Sequence, residues 1–297
     1  MITVKKVIKV GSRDSKLAVE QTQIALKAIT EAHPDITFEL VTMKTTGDMI
    51  LDRNLDQIGG KGLFVKELDK ALLEGEIDLS VHSLKDLPME IAKEIPIVGF
   101  SKREDPRDAM IVKKGMTVDF TTGCIGTASR RRMEQLKKLY PEVKFRSIRG
   151  NVQTRLRKLE EEDYVATILA MAGLNRLNMQ DAVSRIFSVD EMIPAAGQGI
   201  LAFQGRRGED YSYLESTCSK ESEYAAIAER SFVTYLDGGC SSPIAAYAAI
   251  EGKQIILRGL YFHEPAKDYS VGIKKGNVKD ARTIGEELAK ELKSQWT

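Results

Sequence analysis

Ile77-Asp78-Leu79-Ser80-Val81-His82-Ser83-Leu84-Lys85-Asp86-Leu87-Pro88 is the stretch on which the fold turns. Its first five residues are a short apolar run that follows Gly75, and they predict a buried strand. The next seven, closed by Pro88, predict a loop at that strand's carboxyl end. Working backwards, Val65, Leu68 and Leu72 mark a helix that Gly75 stops, and Phe38 to Met43 predicts another strand. Val7 to Val10 predicts a first strand, followed by a helix whose apolar face runs through Leu17/Ala18, Ile24/Ala25 and Ala28/Ile29. Alternating strands and helices imply an α/β lobe with a parallel or mixed sheet.

Working forwards, a second series predicts strands at Ala109–Val112, Cys124–Gly126, Val143–Ile148 and Val165–Ala170. Between them lie a helix through Met133, Leu136 and Leu139, ended by Pro141, and another through Val152, Leu156 and Leu159. After the break at Pro194 to Gly199, Ile200–Phe203 predicts a strand that returns to the first lobe. The remainder reads as a helix (Ala225, Ala228, Phe232, Leu236), a hairpin turning at Gly252-Lys253, and a helix (Ala281, Ile284, Leu288, Leu292). That is a small α+β domain.

The chain has 297 residues, 42% hydrophobic and 29% charged, an ordinary globular composition with room for two or three domains. Lys plus Arg (44) nearly equals Asp plus Glu (43), so the whole is no polyelectrolyte, and neither nucleic acid nor a membrane is an expected partner. Three scattered cysteines, Cys124, Cys218 and Cys240, match neither a disulfide framework nor a metal motif; with no apolar leader they suggest a cytoplasmic monomer.

The near-neutral total hides a local excess. From Thr127 to Lys158 there are eleven Lys/Arg against two Asp/Glu. Such a run is commonly a solvated helical face, but Arg130-Arg131-Arg132 and Arg149-Gly150-Asn151 fall where strands end and helices begin. Helix N-termini attract anions, and arginine adds two-point hydrogen bonding, so a carboxylate or phosphate ligand is expected. Gly59-Gly60-Lys61-Gly62 lacks the first glycine and the Ser/Thr of a phosphate loop, and Gly197-Gln198-Gly199 precedes a strand where a dinucleotide fingerprint would follow one. Asp86, beside Lys85 at a strand's carboxyl end, fits either a ligand site or a turn that satisfies local backbone groups. His82 reads as a structural hydrogen bonder. Cys240, in a loop between Gly239 and Ser241, is open to either a functional or a structural role.

Taken together, the segments resemble the porphobilinogen deaminase (hydroxymethylbilane synthase) family. The stretches that carry the likeness are 11–15 (GSRDS), 44–48 (KTTGD), 59–67 (GGKGLFVKE), 81–88 (VHSLKDLP), 103–108 (REDPRD), 149–155 (RGNVQTR), 172–177 (AGLNRL), 197–199 (GQG) and 238–240 (GGC). The resemblance implies two periplasmic-binding-protein-like lobes with mixed sheets and a small C-terminal α+β domain that carries the cofactor cysteine. It sets them at 1–101 with 200–217, 102–199, and 218–297.

It further implies condensation of four porphobilinogens, with loss of ammonia, into linear hydroxymethylbilane on a dipyrromethane cofactor bound covalently to Cys240. Asp86, Lys85 and Arg13 would then be catalytic. Lys85, Asp86, Ser83, Thr127, Ser129, Arg131, Arg132 and Arg155 would hold the cofactor, and Arg13, Arg149, Arg155, Arg176 and Gln198 the substrate. Lys61 and Phe64 match the family's mobile loop. Each pyrrole bears an acetate and a propionate, which accounts for the arginines. Two positions depart from the family's usual pattern: Ala128 lacks a hydroxyl, and Arg130 replaces an apolar residue and is expected to face solvent. A non-catalytic two-lobed anion-binding protein would suit the lobes and arginines but leaves Cys240 unexplained.

Overall fold

A computed structural model of the chain describes residues 7–46, 65–116, 123–238 and 242–296. The chain divides into two compact units, Met1–Glu104 with Ile200–Glu223, and Asp105–Gly199 with Tyr224–Thr297.

The first unit holds a five-stranded sheet. In chain order its elements are β1 (Val7–Arg13), α1 (Lys16–Ala32), β2 (Thr37–Met43), α2 (Lys66–Leu73), β3 (Leu79–Ser83), β4 (Ile97–Phe100) and β10 (Leu201–Gly205). The strand order is β2-β1-β3-β10-β4. β2 and β3 run parallel to β1, whereas β10 lies antiparallel to both β3 and β4. One face packs Ala25 and Ile29 of α1 on Ile8, Val10, Leu79 and Phe203, and the other packs Leu68 and Leu72 of α2 on Ile77 and Ile95.

The face that α1 buries is displaced from expectation. It runs Gln21, Thr22, Ala25, Ile29, while Ile24 is 44% exposed. Gln21, Ala25 and Ile29 recur at four-residue steps and share one stripe. The polar Gln21 is tolerated there because its Oε1 accepts from the Ser83 hydroxyl at 3.2 Å. Gly75 stops α2 as expected, with φ +74°.

The second unit repeats the sheet pattern. It contains β5 (Asp108–Val112), β6 (Cys124–Gly126), α3 (Arg130–Leu139), β7 (Lys144–Arg146), α4 (Val152–Glu161), β8 (Ala166–Ala170), α5 (Met171–Arg176) and β9 (Arg185–Ile186), in strand order β7-β6-β8-β5-β9. β7 and β8 run parallel to β6, and β5 is antiparallel to both β8 and β9. Each sheet thus has three parallel strands, one reversed strand and an edge strand, the mixed pattern expected of periplasmic-binding-protein-like lobes.

The same unit holds α6 from Tyr224 onward (α6 spans Lys220–Tyr235), then β11 (Ala245–Glu251), β12 (Gln254–His263), β13 (Asp268–Asn277) and α7 (Ala281–Ser294). β11, β12 and β13 form an antiparallel sheet, with Glu251 opposite Gln254 across the predicted turn. β13 is an addition to the predicted hairpin, because its charged, alternating residues give little apolar signal. Gly259 lets the Phe232 ring lie against the sheet: a Cβ there would meet that ring at 2.5 Å.

Candidate functional site

In the first unit the candidate residues collect at the carboxyl ends of β1 and β3. Arg13 is the last residue of β1, Ser15 caps α1 by accepting from the Ala18 N–H at 3.3 Å, and Ser83 is the last residue of β3. Lys85 and Asp86 lie on a single 3-10 turn, Leu84–Asp86. Three contacts set that turn. The Leu84 N–H donates to the Ile200 carbonyl at 3.0 Å, the Leu87 N–H donates to the Leu84 carbonyl at 3.2 Å, and both leucine side chains are fully buried. Each buried leucine is worth roughly 1.5–3 kcal/mol, so hydrophobic burial locks a turn that leaves Lys85 and Asp86 half-exposed.

The strand before the turn is longer than expected, since His82 and Ser83 pair with Ala202 and Leu201 of β10. His82 is buried, and its Nε2 meets the Ser80 hydroxyl at 2.8 Å. Burial, together with the neighbouring charge of Arg13, pulls His82 down to about 4. It is a neutral structural group at neutral pH, as its lone position in the sequence suggests.

In the second unit the arginines stand where strands meet helices. Thr127 follows β6 and is buried; its Oγ1 accepts from the Ser129 N–H at 3.2 Å, and Ser129 caps α3 by accepting from Arg132 N–H at 3.4 Å. Ala128 is exposed. Arg131 and Arg132, in the first turn of α3, are only 5% and 6% exposed. Both reach the fully buried carboxylate of Asp108 at the start of β5: Arg131 Nη1 lies 2.8 Å from Oδ2, and Arg132 Nη2 2.7 Å from Oδ1. Burial alone would raise Asp108, but the two guanidiniums outweigh it and hold the carboxyl far below the ordinary carboxylate range. Removing one partner from such a buried cluster typically costs about 3–5 kcal/mol.

Asn151 caps α4 by accepting from the Thr154 N–H at 2.9 Å, and Arg155 Nε donates to the Gly150 carbonyl at 2.8 Å. Gly150 has φ +118°, and a Cβ there would meet Thr154 at 2.6 Å, so only glycine fits between Arg149 and the helix. Arg149 is half-buried just before this cap. Arg176 Nη2 donates to the Gly199 carbonyl at 2.7 Å. Gln198 Nε2 donates to the Pro106 carbonyl at 2.6 Å and to Asp108 Oδ1 at 3.0 Å.

Arg130 does not simply face solvent. Its Nη2 pairs with Glu264 at 2.7 Å, because α3 runs beside the β12–β13 turn of the same unit. Cys240, Lys61 and Phe64 lie outside the described residues.

Sequence reading missed two residues that hold this unit together. Arg107-Asp108 looks like a local ion pair, yet Arg107 pairs with Asp105 at 2.6 Å and leaves Asp108 to the α3 arginines. Glu229, on α6, reads as a surface glutamate but is fully buried; its Oε2 accepts from the Gly197 N–H and its Oε1 from the Ala248 N–H, both at 2.7 Å.

Among the described residues no helix is long and apolar enough to cross a membrane. Residues 8–213 match the family model "Porphobilinogen deaminase, dipyromethane cofactor binding domain", and residues 224–294 match "Porphobilinogen deaminase, C-terminal domain". A porphobilinogen deaminase from Ruminiclostridium josui is 51% identical over 97% of this chain and 98% of that protein. One from Acetivibrio thermocellus is 52% identical over 96% of this chain and 97% of its own length. Among solved structures, the BenM effector-binding domain with benzoate is 15% identical, covers 79% of this chain and 95% of that one, and has a TM-score of 0.42, which adds nothing to the fold read from the sheets. With both models matched in order and half the residues shared with full-length relatives, the chain belongs to the porphobilinogen deaminase family.

Proposed function

We propose that Asp86 is the catalytic carboxylate of this porphobilinogen-condensing transferase, with Lys85 and Arg13 beside it, and that Cys240 carries the dipyrromethane cofactor through a thioether. The observation that carries the reading is the buried cluster in which two guanidiniums face one carboxylate, Asp108. Among the described residues one positive charge is left over in a place where unpaired charge is costly. A ligand rich in acetates and propionates supplies the missing negative charge, so the donor set present suits a dipyrromethane.

In this reading Thr127, Ser129, Arg131, Arg132 and Arg155, with Ser83, Lys85 and Asp86, hold the cofactor. Arg13, Arg149, Arg155 and Arg176 hold the carboxylates of incoming porphobilinogen, and Gln198 belongs to the same substrate set. When bound, the cofactor supplies the nucleophilic pyrrole carbon on which the tetrapyrrole is built. Asp86 does the work of charge: its carboxylate oxygens accept from pyrrole N–H groups and stabilise the positive charge that a ring acquires as ammonia leaves. The turn that carries Asp86 is fixed before substrate arrives, so no reorganisation is needed when that charge forms.

The domain limits that go with this reading are 1–101 with 200–217, 102–199, and 218–297, and the break between the two family models, at 213 and 224, supports the last of them. Balanced charge and three scattered cysteines support a cytoplasmic monomer that acts without nucleic acid or membrane.

The test is the intact mass of the denatured protein, followed by peptide mapping. The expected result is an excess equal to one dipyrromethane on the peptide containing Cys240, and none on a Cys240→Ser protein. The same adduct on the Cys240→Ser protein, or no adduct on the wild type, would overturn the assignment.

A further inference from the structure

We propose that Asp108 is a positioning residue for the reaction: it aims the guanidiniums of Arg131 and Arg132 at ligand carboxylates without touching the ligand itself. The proposal rests on reading those arginines as holders of the cofactor.

Asp108 is fully buried, so nothing in solvent competes for its oxygens. Oδ1 receives Arg132 Nε at 3.2 Å, Arg132 Nη2 at 2.7 Å and Gln198 Nε2 at 3.0 Å. Two bonds from one guanidinium to one oxygen fix the plane of that guanidinium. The third side of Arg132 is fixed as well, since Nη1 donates to the Ile168 carbonyl at 2.9 Å. Oδ2 forms an ion pair with Arg131 Nη1 at 2.8 Å, and that nitrogen's hydrogen bond goes to the Ile193 carbonyl at 2.8 Å.

Arg131 is therefore held at one corner. Among the described residues it donates through Nη1 alone, which leaves Nε and Nη2 for a ligand. The Ile193 carbonyl it leans on is braced by Gln135, whose Nε2 donates to it at 3.1 Å while its Oε1 accepts from the Ile193 N–H at 2.7 Å. Gln198 belongs to the same hub, because both hydrogens of its amide nitrogen are taken by Pro106 and Asp108.

Here one carboxylate is shared by two cations, and it fixes the plane of Arg132 from two bonds while it holds Arg131 at one corner. The two arginines thus have unequal tasks, and Asp108 sets both.

The experiment uses full-length protein and measures the fraction of folded molecules that carry the dipyrromethane adduct by intact mass, with circular dichroism to confirm folding. Asp108→Asn keeps the shape and removes the charge; Asp108→Glu keeps the charge and moves it by one methylene. Each is expected to carry the adduct on at least tenfold fewer folded molecules than wild type. If Asp108 only balanced charge, Asp108→Glu would carry it fully, and a wild-type fraction in either folded variant overturns the proposal.

Gln135→Met keeps Asp108 and every charge and removes the brace on Ile193 together with the bond from Gln135 Nε2 to the Arg131 carbonyl at 3.2 Å, so it remains decisive even if both Asp108 variants fail to fold. It is expected to keep the wild-type adduct fraction; a tenfold loss there would mean that Asp108 does not suffice to aim Arg131, and the proposal falls. Wild-type protein with no adduct would instead sink the reading of the cofactor, a different result from any of these.

Discussion

The two five-stranded sheets are built alike and loaded with different chemistry. In each, three parallel strands are followed by one reversed strand and an edge strand, in the orders β2-β1-β3-β10-β4 and β7-β6-β8-β5-β9. In the first, the strand ends carry Arg13 and, on a turn locked by two buried leucines, Lys85 and the carboxylate of Asp86, with a neutral histidine in the strand behind it. In the second, they carry arginines, two of them buried on a single aspartate. The carboxyl ends of parallel strands are where α/β sheets bind ligands. A repeated scaffold thus offers the same address twice, and in the function proposed above local residues decide whether it serves reaction or grip.

The largest effect should come from breaking the proposed reactive address. Asp86→Asn keeps the turn, since Leu84 and Leu87 remain buried, but loses the charge. Turnover of porphobilinogen is expected to fall by roughly 10²- to 10⁴-fold, the range for a positioned acid–base group. The folded variant should unfold at the wild-type temperature. Wild-type turnover would reduce Asp86 to a turn residue.

That address was legible because a buried run, a loop and Pro88 are local signals. The extension of β3 through His82 and Ser83 was not, because it depends on pairing with β10, far along the chain. The grip was legible as a basic cluster at helix starts, but its organiser was hidden. Asp108 follows Arg107 and reads as that arginine's partner, whereas Arg107 has Asp105. Glu229 lies in a helix among other glutamates, and nothing in its spacing shows that backbone N–H groups from two other segments converge on it. Long-range polar contacts leave no periodicity.

His82 offers a second way to separate the addresses, through stability. Its folded value of about 4 lies below the ordinary 6.5, so its contribution is fully present above 6.5 and is lost as pH falls toward 4. The loss is up to about 3 kcal/mol, from roughly 1.4 kcal/mol per pH unit. Asp69, also in the first unit and pushed up to about 6 by burial, works in the opposite sense, since stability returns as pH falls through 6. Urea unfolding of wild type and His82→Asn at about pH 7 and pH 4 should therefore show the wild type losing more than the variant on acidification. Equal losses would mean that His82 is not held neutral.

On the proposed gripping side, Arg149→Leu would remove one charged hydrogen bond to a substrate carboxylate, worth roughly 1.5–3 kcal/mol, or about 10- to 150-fold in rate. Elongation should slow while the cofactor adduct persists, and enzyme carrying partly built chains should accumulate in intact-mass spectra. Unchanged elongation at every step would take Arg149 out of the substrate set.

The smallest effect belongs to Arg130, and it sharpens the comparison within a single helix turn. Arg130, Arg131 and Arg132 are consecutive, yet Arg131 and Arg132 are buried on Asp108 while Arg130 pairs with Glu264 at side-chain exposures of 38% and 60%. An exposed pair is worth about 0–1 kcal/mol and is screened by salt, whereas a buried one cannot be broken without stranding a charge. Arg130→Leu should therefore lower the melting temperature by at most roughly 4 °C, less at high salt, and leave turnover and adduct unchanged. A loss of turnover comparable to that of Arg149→Leu would place Arg130 with the gripping residues and show that burial is not what separates the three.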